Sequence, residues 1–211
     1  MTSSAEKKAG RARMTAPERR EQLIIISRSL FAERGFDGTS VEEIAARAEV
    51  SKPVVYEHFG GKESLYAVVV DREVRRLLDM MQKALTSGPP RMLLEQAACS
   101  LLDYIEQSSD GFRILVRDSP VGSASGSFVS IIGDVASRVE HILVEEFENR
   151  GFDPEAAPMY AQMLVGMVGT TGQWWLHARR PAKEVVAAHL VNLAWHGLSG
   201  LDKSPSLRFD S

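Results

Sequence analysis

Residues 51–58, which read Ser-Lys-Pro-Val-Val-Tyr-Glu-His, carry the side chains of this chain that are best suited to contact a nucleic acid. Lys52 and Tyr56 are four residues apart, so they share one face if the segment is helical. A lysine amine can donate to guanine O6 and N7, and apolar groups such as Pro53 and Val54 can contact a thymine methyl group. A tyrosine hydroxyl can bind a phosphate. The pattern favours a helix that enters the major groove of DNA.

The polar residues around this face have more than one interpretation. His58 can also bind a phosphate, and Lys62 stands where the next helix begins. Taken singly, Tyr56 or His58 could equally be a packing or solvated surface residue, and Lys52 and Lys62 could be solvated charges. Glu57 either accepts from a cytosine N4 amine or points away from the anionic duplex. The spacing of caps, glycines and apolar positions is what supports the nucleic-acid interpretation of the set.

Three short helices are predicted to position these side chains. Each begins at a hydroxyl residue that can cap a helix and ends at glycine or a short turn. The predicted caps are Thr15 with Glu18 three residues later, Thr39 or Ser40, and Ser51; the predicted ends are Gly35, the turn Glu49-Val50 and Gly60-Gly61.

The rest of the chain also has helical spacing of apolar residues, broken by segments rich in proline, glycine and serine. No strand-like alternation of convincing length is present, so the sequence predicts an all-α fold of about nine helices. Beyond the first three, helices are expected over 62–85, 91–108, 112–118, 127–149, 153–179 and 181–201.

Charge and composition favour a nucleic-acid module attached to a separate body. Residues 1–62 hold 11 Lys and Arg against 9 Asp and Glu, whereas residues 63–211 hold 14 against 19. The single cysteine, Cys99, excludes an intramolecular disulfide, suits a reducing cytoplasm, and is expected to be a small buried residue. The most apolar stretch, residues 163–175, is short and interrupted by glycines. We expect a cytoplasmic protein with no membrane partner and no secretory segment.

The sequence lacks the usual patterns of catalysis. Di-iron sites in helical bundles use Glu-x-x-His, but the residues three before the five histidines are Val, Arg, Trp, Val and Leu. There is no glycine-rich phosphate loop and no nucleophile motif. We therefore expect no enzyme activity, no metal site and no cofactor.

A long pattern without gaps runs through residues 17–66, in the segments Leu30-Phe31-Ala32-Glu33-Arg34-Gly35-Phe36, Thr39-Ser40-Val41, Ile44-Ala45, Ala48-x-Val50-Ser51-Lys52, Tyr56-x-His58-Phe59 and Lys62-Glu63-x-Leu65. This pattern resembles the DNA-binding domain of TetR-family transcriptional regulators. The resemblance covers about a quarter of the chain, and the remaining helices agree with the family in number and order only. Two positions depart from the pattern: Gly61 stands where a capping serine or asparagine is common, and Ile25 where a polar residue is usual.

The resemblance implies a homodimer on a near-palindromic operator, with an effector pocket in the C-terminal body. The expected organisation is a disordered basic arm (1–14), a three-helix helix-turn-helix DNA-binding domain (15–61), a ligand-binding and dimerisation domain (62–201) and a flexible tail (202–211). The family's base and phosphate contacts fall on Thr39, Lys52, Pro53, Val54, Tyr56, His58 and Lys62.

Pairing is also indicated by the last two helices. The final helix has two apolar stripes, of which a monomer would cover one, and the helix before it has glycines that permit close approach. The alternative is a last helix buried inside a monomer. The residues expected at the dimer interface are Gly166, Gly169, Val191, Ala194, Trp195 and Leu198.

The effector site is expected among aromatic and soft side chains of the body, although such residues also fill ordinary cores. Because the body is acidic, a hydrophobic effector is favoured over a polyanion. The candidate ligand contacts are Tyr104, Phe112, Phe128, Met163, Met167, Trp174, Trp175 and His177.

Together these expectations describe a ligand-responsive regulator, a repressor that leaves its operator when an effector in the body shifts the fourth helix. The connection is expected at Gly60-Gly61-Lys62, where that helix begins beside the DNA. Two alternatives remain: a helix-turn-helix DNA-binding protein without ligand control, and an all-α enzyme.

Overall fold

The computed structural model describes residues 14–117 and 128–207, and within these ranges the chain forms nine α-helices and one 3₁₀ turn, with no strand. This confirms the all-α prediction. The predicted arm up to residue 13, the proline-, glycine- and serine-rich segment expected as a loop at 119–126, and residues 208–211 lie outside the described residues. The helices are α1 (Ala16–Arg34), α2 (Val41–Arg47), α3 (Lys52–Phe59), α4 (Lys62–Ala84), α5 (Pro90–Gln107), α6 (Ser109–Val116), α7 (Phe128–Arg150), α8 (Ala157–Ala178) and α9 (Lys183–Ser199), and the 3₁₀ turn is Pro154–Ala156.

Local capping explains where the first helices begin. Thr15 and Glu18 form a capping box, in which the Glu18 amide donates to Thr15 Oγ1 and the Thr15 amide donates to the Glu18 carboxylate. Ser40 and Glu43 form the same arrangement at the start of α2, so Ser40 is the cap. Ser51 stands at the N-cap of α3 but makes no side-chain cap hydrogen bond.

Three hydrophobic clusters form among the described residues. The smallest joins the end of α7 to the start of α8 around Phe147. The other two both contain residues of α4. The N-terminal core is built from α1, α2, α3 and the start of α4, with Leu23, Ile44 and Val55 fully buried. It also receives Ile114 from α6. The body core is built from the rest of α4 together with α5 to α9, around residues such as Leu102. Helix α4 therefore belongs to both cores.

The close packing of α8 against α5 in the body depends on a glycine. A Cβ atom on Gly172 of α8 would lie 3.0 Å from Leu101 Cδ2 and 3.0 Å from Ile105 Cδ1 on α5. A larger residue there would push α8 away from α5. Cys99 on the same α5 is exposed, contrary to the expectation of burial, because its side of the helix faces outward. No helix among the described residues is long and apolar enough to span a membrane.

Candidate nucleic-acid interface and ligand cavity

Helix α3 presents its polar face to solvent and its apolar face to the N-terminal core. Lys52, Pro53 and Tyr56 are exposed, and the Tyr56 side chain is 52% accessible, while Val55 and Phe59 are buried. This division follows from the helical period, since the buried pair is four residues apart. Such an exposed aromatic side chain on a short helix has no partner within the core and is available to a ligand.

The end of α3 is fixed by a glycine in the left-handed conformation. Gly60 has φ +75°, and its amide donates to the Tyr56 carbonyl at 2.7 Å. A side chain at this φ would be strained, so glycine is favoured here. Gly61 then begins α4 without a side-chain cap, as its sequence indicated. The exposed face of α3 is thereby held at a fixed angle to α4.

Acidic residues of α2 form ion pairs with one cation of α3 and one of α1. Glu42 forms an ion pair with Lys52 across the two helices, and Glu43 pairs with Arg34 of α1. Both pairs are exposed, so each contributes little to stability and is weakened by salt. The Lys52 amine is thus held beside α2 in the free protein and must exchange Glu42 for any base or phosphate that it contacts.

Two predicted DNA contacts also hold the fold together. Thr39 is only 2% exposed, and its hydroxyl donates to the Gly35 carbonyl at 2.8 Å. The Lys62 amine donates to the Phe36 carbonyl at 3.0 Å and lies 4.1 Å from the centre of the Phe36 ring. Both side chains therefore fasten the connector between α1 and α2. Val54 and His58 are half-buried at the edge of the exposed face of α3.

The body contains an apolar cavity of about 110 Å³ between α4, α5, α7, α8 and the end of α9. Every described residue that lines it is aliphatic, methionine, proline or glycine, so the cavity offers no charged or hydrogen-bonding side chain. Its volume is comparable to that of the engineered cavity of about 150 Å³ that binds benzene. Residues that line it include Leu77 and Met81 of α4, Ala97 and Leu101 of α5, Ile131, Val135 and Val139 of α7, Leu164, Val168 and Gly169 of α8, and Leu198 of α9.

Comparison with known families agrees with this arrangement. The family model described as "Bacterial regulatory proteins, tetR family" matches residues 26–69. A second, described as "Tetracyclin repressor-like, C-terminal domain", matches residues 90–197, about half of the chain. The chain belongs to the TetR family. It is a DNA-binding transcriptional regulator rather than an enzyme, in a family whose members bind operators and small-molecule effectors.

Relatives match nearly the whole length of this TetR-family regulator. The "HTH-type transcriptional activator FasR" of Mycolicibacterium smegmatis is 33% identical over 190 residues, which cover 89% of this chain and 86% of that protein. The "HTH-type transcriptional repressor BepR" of Brucella suis is 26% identical, covering 81% of this chain and 86% of its own. The crystal structure of a TetR-like regulator from Rhodococcus sp. RHA1 is similar with a TM-score of 0.70 and 26% identity, covering 90% of this chain and 100% of that one.

None of the described aromatic and soft residues that the sequence singled out as ligand contacts lines the cavity of this TetR-family regulator. Tyr104 and Phe112 are buried in the body core, and so is Trp175, whose indole donates to the Pro181 carbonyl at 2.9 Å. Met163 is exposed. Half-buried Met167 packs at the edge of the body core, Trp174 and His177 are exposed, and the side chain of Phe128 lies outside the described part of the chain.

Two of the residues that were expected at the dimer interface line the cavity instead. They are Gly169 and Leu198. Val191 and Ala194 are buried within this chain, Gly166 is half-buried, and Trp195 is half-buried beneath the Arg91 guanidinium, 6.0 Å from its ring. The residues expected at the dimer interface thus lie on faces of α8 and α9 that are partly covered within the chain, and both faces of each helix carry apolar residues.

A different set of apolar residues on α8 and α9 faces outward. On α8 Met163 is 56% exposed and Trp174 is 54% exposed, and on α9 Leu193 is 67% exposed. Val185 and Met159 are also exposed. We call these five side chains the outward apolar face.

The cavity had one signal in the sequence. Ile131, Val135 and Val139 of α7 recur at four-residue intervals, which marks one apolar face. That pattern identifies an inward face but does not distinguish a filled core from a cavity. Within the described residues, no group of three or more His, Cys, Asp or Glu side chains is placed to hold a metal ion.

The buried hydroxyl of Thr39 generates a stability prediction. Thr39→Val keeps the shape but leaves the Gly35 carbonyl without its donor, so we expect a loss of about 1 kcal/mol in the free energy of unfolding. Thr39→Ser keeps the hydroxyl and serves as the control, with a smaller loss. Urea unfolding followed by circular dichroism measures both. Equal stability of the valine variant and the wild type would show that the hydrogen bond contributes nothing.

Proposed function

We propose that this chain is a homodimeric, ligand-responsive transcriptional regulator that reads an operator with α3 and senses an aliphatic ligand in the body cavity. The observation that carries the proposal is the exposed face of α3, where Lys52, Pro53 and Tyr56 project from a helix whose opposite side is anchored in the N-terminal core. A helix presented in this way fits the major groove, which is wide enough to admit it.

The residues of α3 divide into two roles. Lys52 reads a base edge, and Pro53 and Val54 contact the neighbouring base pair, because they lie at the N-terminal end of the helix. Tyr56 and His58 bind phosphates on the flanks. Thr39 and Lys62 hold the connector that carries α2, so they position the reading helix through the fold.

This division of roles is tested with DNA fragments selected from a random pool by the purified protein. Lys52→Gln should cost about 1–3 kcal/mol on the selected operator and relax the preference at one base pair. Tyr56→Phe should weaken binding by about 1 kcal/mol on every sequence, because a phosphate contact carries no sequence information. Fluorescence anisotropy over a range of salt concentrations measures both effects.

The control is Lys83→Gln, which removes an exposed lysine at the opposite end of α4. Its operator affinity and salt dependence should match those of the wild type. If Lys52→Gln and Tyr56→Phe behaved like this control, α3 would not be the reading helix.

Dimerisation is supported by the outward apolar face of α8 and α9. Exposed tryptophan, methionine and leucine side chains on two adjacent helices are well suited to bury one another in a symmetric pair. A four-helix bundle made from the same two helices of each protomer covers them. Dimerisation then places two copies of α3 on one side of the DNA, which matches a palindromic operator.

The outward apolar face predicts how the oligomeric state, measured as molecular mass, responds to mutation. Leu193→Glu or Trp174→Glu places a carboxylate in the proposed interface, so we expect monomers where the wild type is a dimer, together with a large loss of operator affinity. Light scattering during size-exclusion chromatography measures the mass. Met92→Glu, at an exposed methionine of α5, should leave the dimer intact. A wild type that stays monomeric at all concentrations would refute the interface.

The ligand is an aliphatic chain or the aliphatic part of a larger molecule. The described residues on the cavity wall are all apolar, so charged and strongly polar groups would lose their hydration there without gaining partners from them. Its size suits an alkyl segment rather than a complete large ligand. Apolar burial alone would supply the affinity, with a negative heat-capacity change on binding.

The cavity can be filled by mutation to test this assignment. Ala97→Phe adds a ring to the wall, so we expect dodecanol to bind on the order of tenfold more weakly to this variant than to the wild type. Ala67→Phe is the matched control, because Ala67 is an exposed residue of α4 away from the cavity. Titration calorimetry measures both. Equal binding by wild type and Ala97→Phe would place the ligand elsewhere.

Whether the regulator represses or activates transcription depends on the position of the operator. A bound regulator blocks the polymerase or recruits it according to where the operator lies relative to the promoter, which is a property of the DNA. The repressor expectation from the sequence therefore stays a prediction: of the two relatives, one is called an activator and the other a repressor. Transcription in vitro from a promoter that carries the selected operator decides it.

A further inference from the structure

A buried carboxylate lies where the reading domain meets the body. Glu73 projects from the middle of α4, and its side chain is only 3% exposed. Its Oε1 atom accepts from Arg28 Nη1 of α1 at 3.2 Å. Its Oε2 atom accepts from the Tyr104 hydroxyl at 2.7 Å and from the Ser108 hydroxyl at 3.1 Å, both on the α5 side. One carboxylate thus joins α1, α4 and α5.

Helix α6 approaches the same carboxylate through a glycine. A Cβ atom on Gly111 would lie 2.0 Å from Glu73 Oε2 and 2.6 Å from Glu73 Cδ. Because Gly111 has no side chain, the Glu73 carboxylate can occupy the space beside the first turn of α6. The N-cap of that helix is Ser108. The position of Glu73 therefore depends on α6 as well, and four helices meet at this one side chain.

Burial keeps the Tyr104 hydroxyl in the protonated state that its contact with Glu73 needs. Burial and the adjacent Glu73 carboxylate raise the pKa of Tyr104 well above its ordinary value, so its hydroxyl stays protonated and donates. A buried carboxylate is tolerated when it is paired with a cation and hydrogen-bonded, as here with Arg28 and two hydroxyls. The contact is directional, unlike the apolar contacts around it.

Helix α1 packs against the start of α4 through the N-terminal core, where for example the Phe31 ring meets the Tyr66 ring edge-on with centroids 4.9 Å apart. The Arg28–Glu73 pair lies seven residues further along α4 than Tyr66, or roughly 10 Å at 1.5 Å per residue. This pair adds a directional polar contact to the apolar ones and so restricts the angle of α1 to α4. The exposed pair between Glu21 and Arg72 adds little, because solvent screens it.

The α1 side of this contact is incompletely satisfied. Arg28 donates to Glu73 through Nη1, while its buried Nε atom and the buried Ser27 hydroxyl have no hydrogen-bond partner among the described residues. A single-point contact is easier to rearrange than a bidentate one. Separation of α1 from α4 at this point would break the Arg28 hydrogen bond, while the Tyr104 and Ser108 hydroxyls could keep their bonds to Glu73.

The Glu73 contact lies about one helical turn from residues that line the cavity, on both α4 and α5. On α4, Leu77 lines the cavity and stands four residues after Glu73, which is about one turn. On α5, Leu101 lines the cavity and stands three residues before Tyr104. A ligand that moves Leu77 or Leu101 therefore moves a residue of the Glu73 contact one turn away.

We propose that Glu73 is the positioning residue of this regulator, which fixes the angle of the reading domain to the body through Arg28 and transmits the state of the cavity through Leu77 and Tyr104. The proposal rests on the proposed function. In a dimer, that angle sets the separation of the two copies of α3, so Glu73 determines how strictly the protein requires the correct spacing between half-sites.

The test compares three duplexes: the selected operator, the same operator with one base pair inserted between its half-sites, and a single half-site. Wild type should prefer the correct spacing by roughly tenfold or more, within the range of allosteric couplings of about 5–150-fold. Glu73→Gln keeps the volume of the side chain but removes the charge that holds Arg28. We expect its spacing preference to fall below about threefold, with half-site affinity changed by less than about threefold.

Two further variants separate positioning from folding. Gly111→Ala displaces the carboxylate without changing its charge, and Tyr104→Phe removes the shortest hydrogen bond while keeping the ring. Both should lose spacing preference and keep half-site affinity. Asp71→Asn, at an exposed carboxylate of α4 paired only within its own helix, is the control and should behave like wild type. If Glu73→Gln failed to fold, Tyr104→Phe would decide the matter by the same two measurements.

The outcomes are distinct. A normal spacing preference in Glu73→Gln and Gly111→Ala, or in Tyr104→Phe, would overturn the positioning role while leaving the regulator proposal intact. Equal losses on the half-site and on the full operator would show a general structural role and would also overturn it. A wild type that binds no paired half-sites would refute the proposed dimeric function, and the positioning role with it.

Discussion

Helix α4 must pack into two hydrophobic cores at once, and the rest of the structure depends on this constraint. Leu65 and Val69 lie in the N-terminal core, while Leu77 and Met81 lie in the body core and line the cavity. A helix of 23 residues spans roughly 35 Å and bends little, so its two ends move together. Whatever shifts the cavity end of α4 must therefore be accommodated at the DNA end.

The buried charge of Glu73 gives this mechanical connection a preferred geometry. Apolar contacts tolerate sliding and rotation, whereas a buried carboxylate without its partner costs about 3–5 kcal/mol. The contact of Glu73 with Arg28, Tyr104 and Ser108 therefore penalises orientations of α1 that separate them. Lys62 performs a similar task nearer to the DNA, where it joins the start of α4 to the connector at Phe36. The reading helix is positioned by these polar contacts and held in place by the cores.

The sequence predicted local features well and tertiary ones poorly, for physical reasons. The caps at Thr15 and Ser40 and the exposed face of α3 are set by contacts within a few residues, so their signals lie in short segments. The outward placement of Met163 and Trp174 and the cavity position of Gly169 depend on which neighbour each helix face meets, and α8 is apolar on both faces. Glu73 sits in a run of charges that reads as surface, although its place between Val69 and Leu77 on the buried stripe was a usable signal.

We propose that a dimer holds two copies of α3 about one turn of DNA apart, and that the cavity controls this separation. The test is the distance between two spin labels, one on each copy of α3 in the dimer, measured by pulsed electron paramagnetic resonance. The label is attached at Glu57→Cys on the exposed side of α3, with the exposed Cys99 replaced by alanine. We expect a narrow distance distribution centred on the order of 34–36 Å with operator bound, and a shifted or broader distribution with dodecanol. A distance unchanged by dodecanol, or one incompatible with a single helical turn, would contradict it.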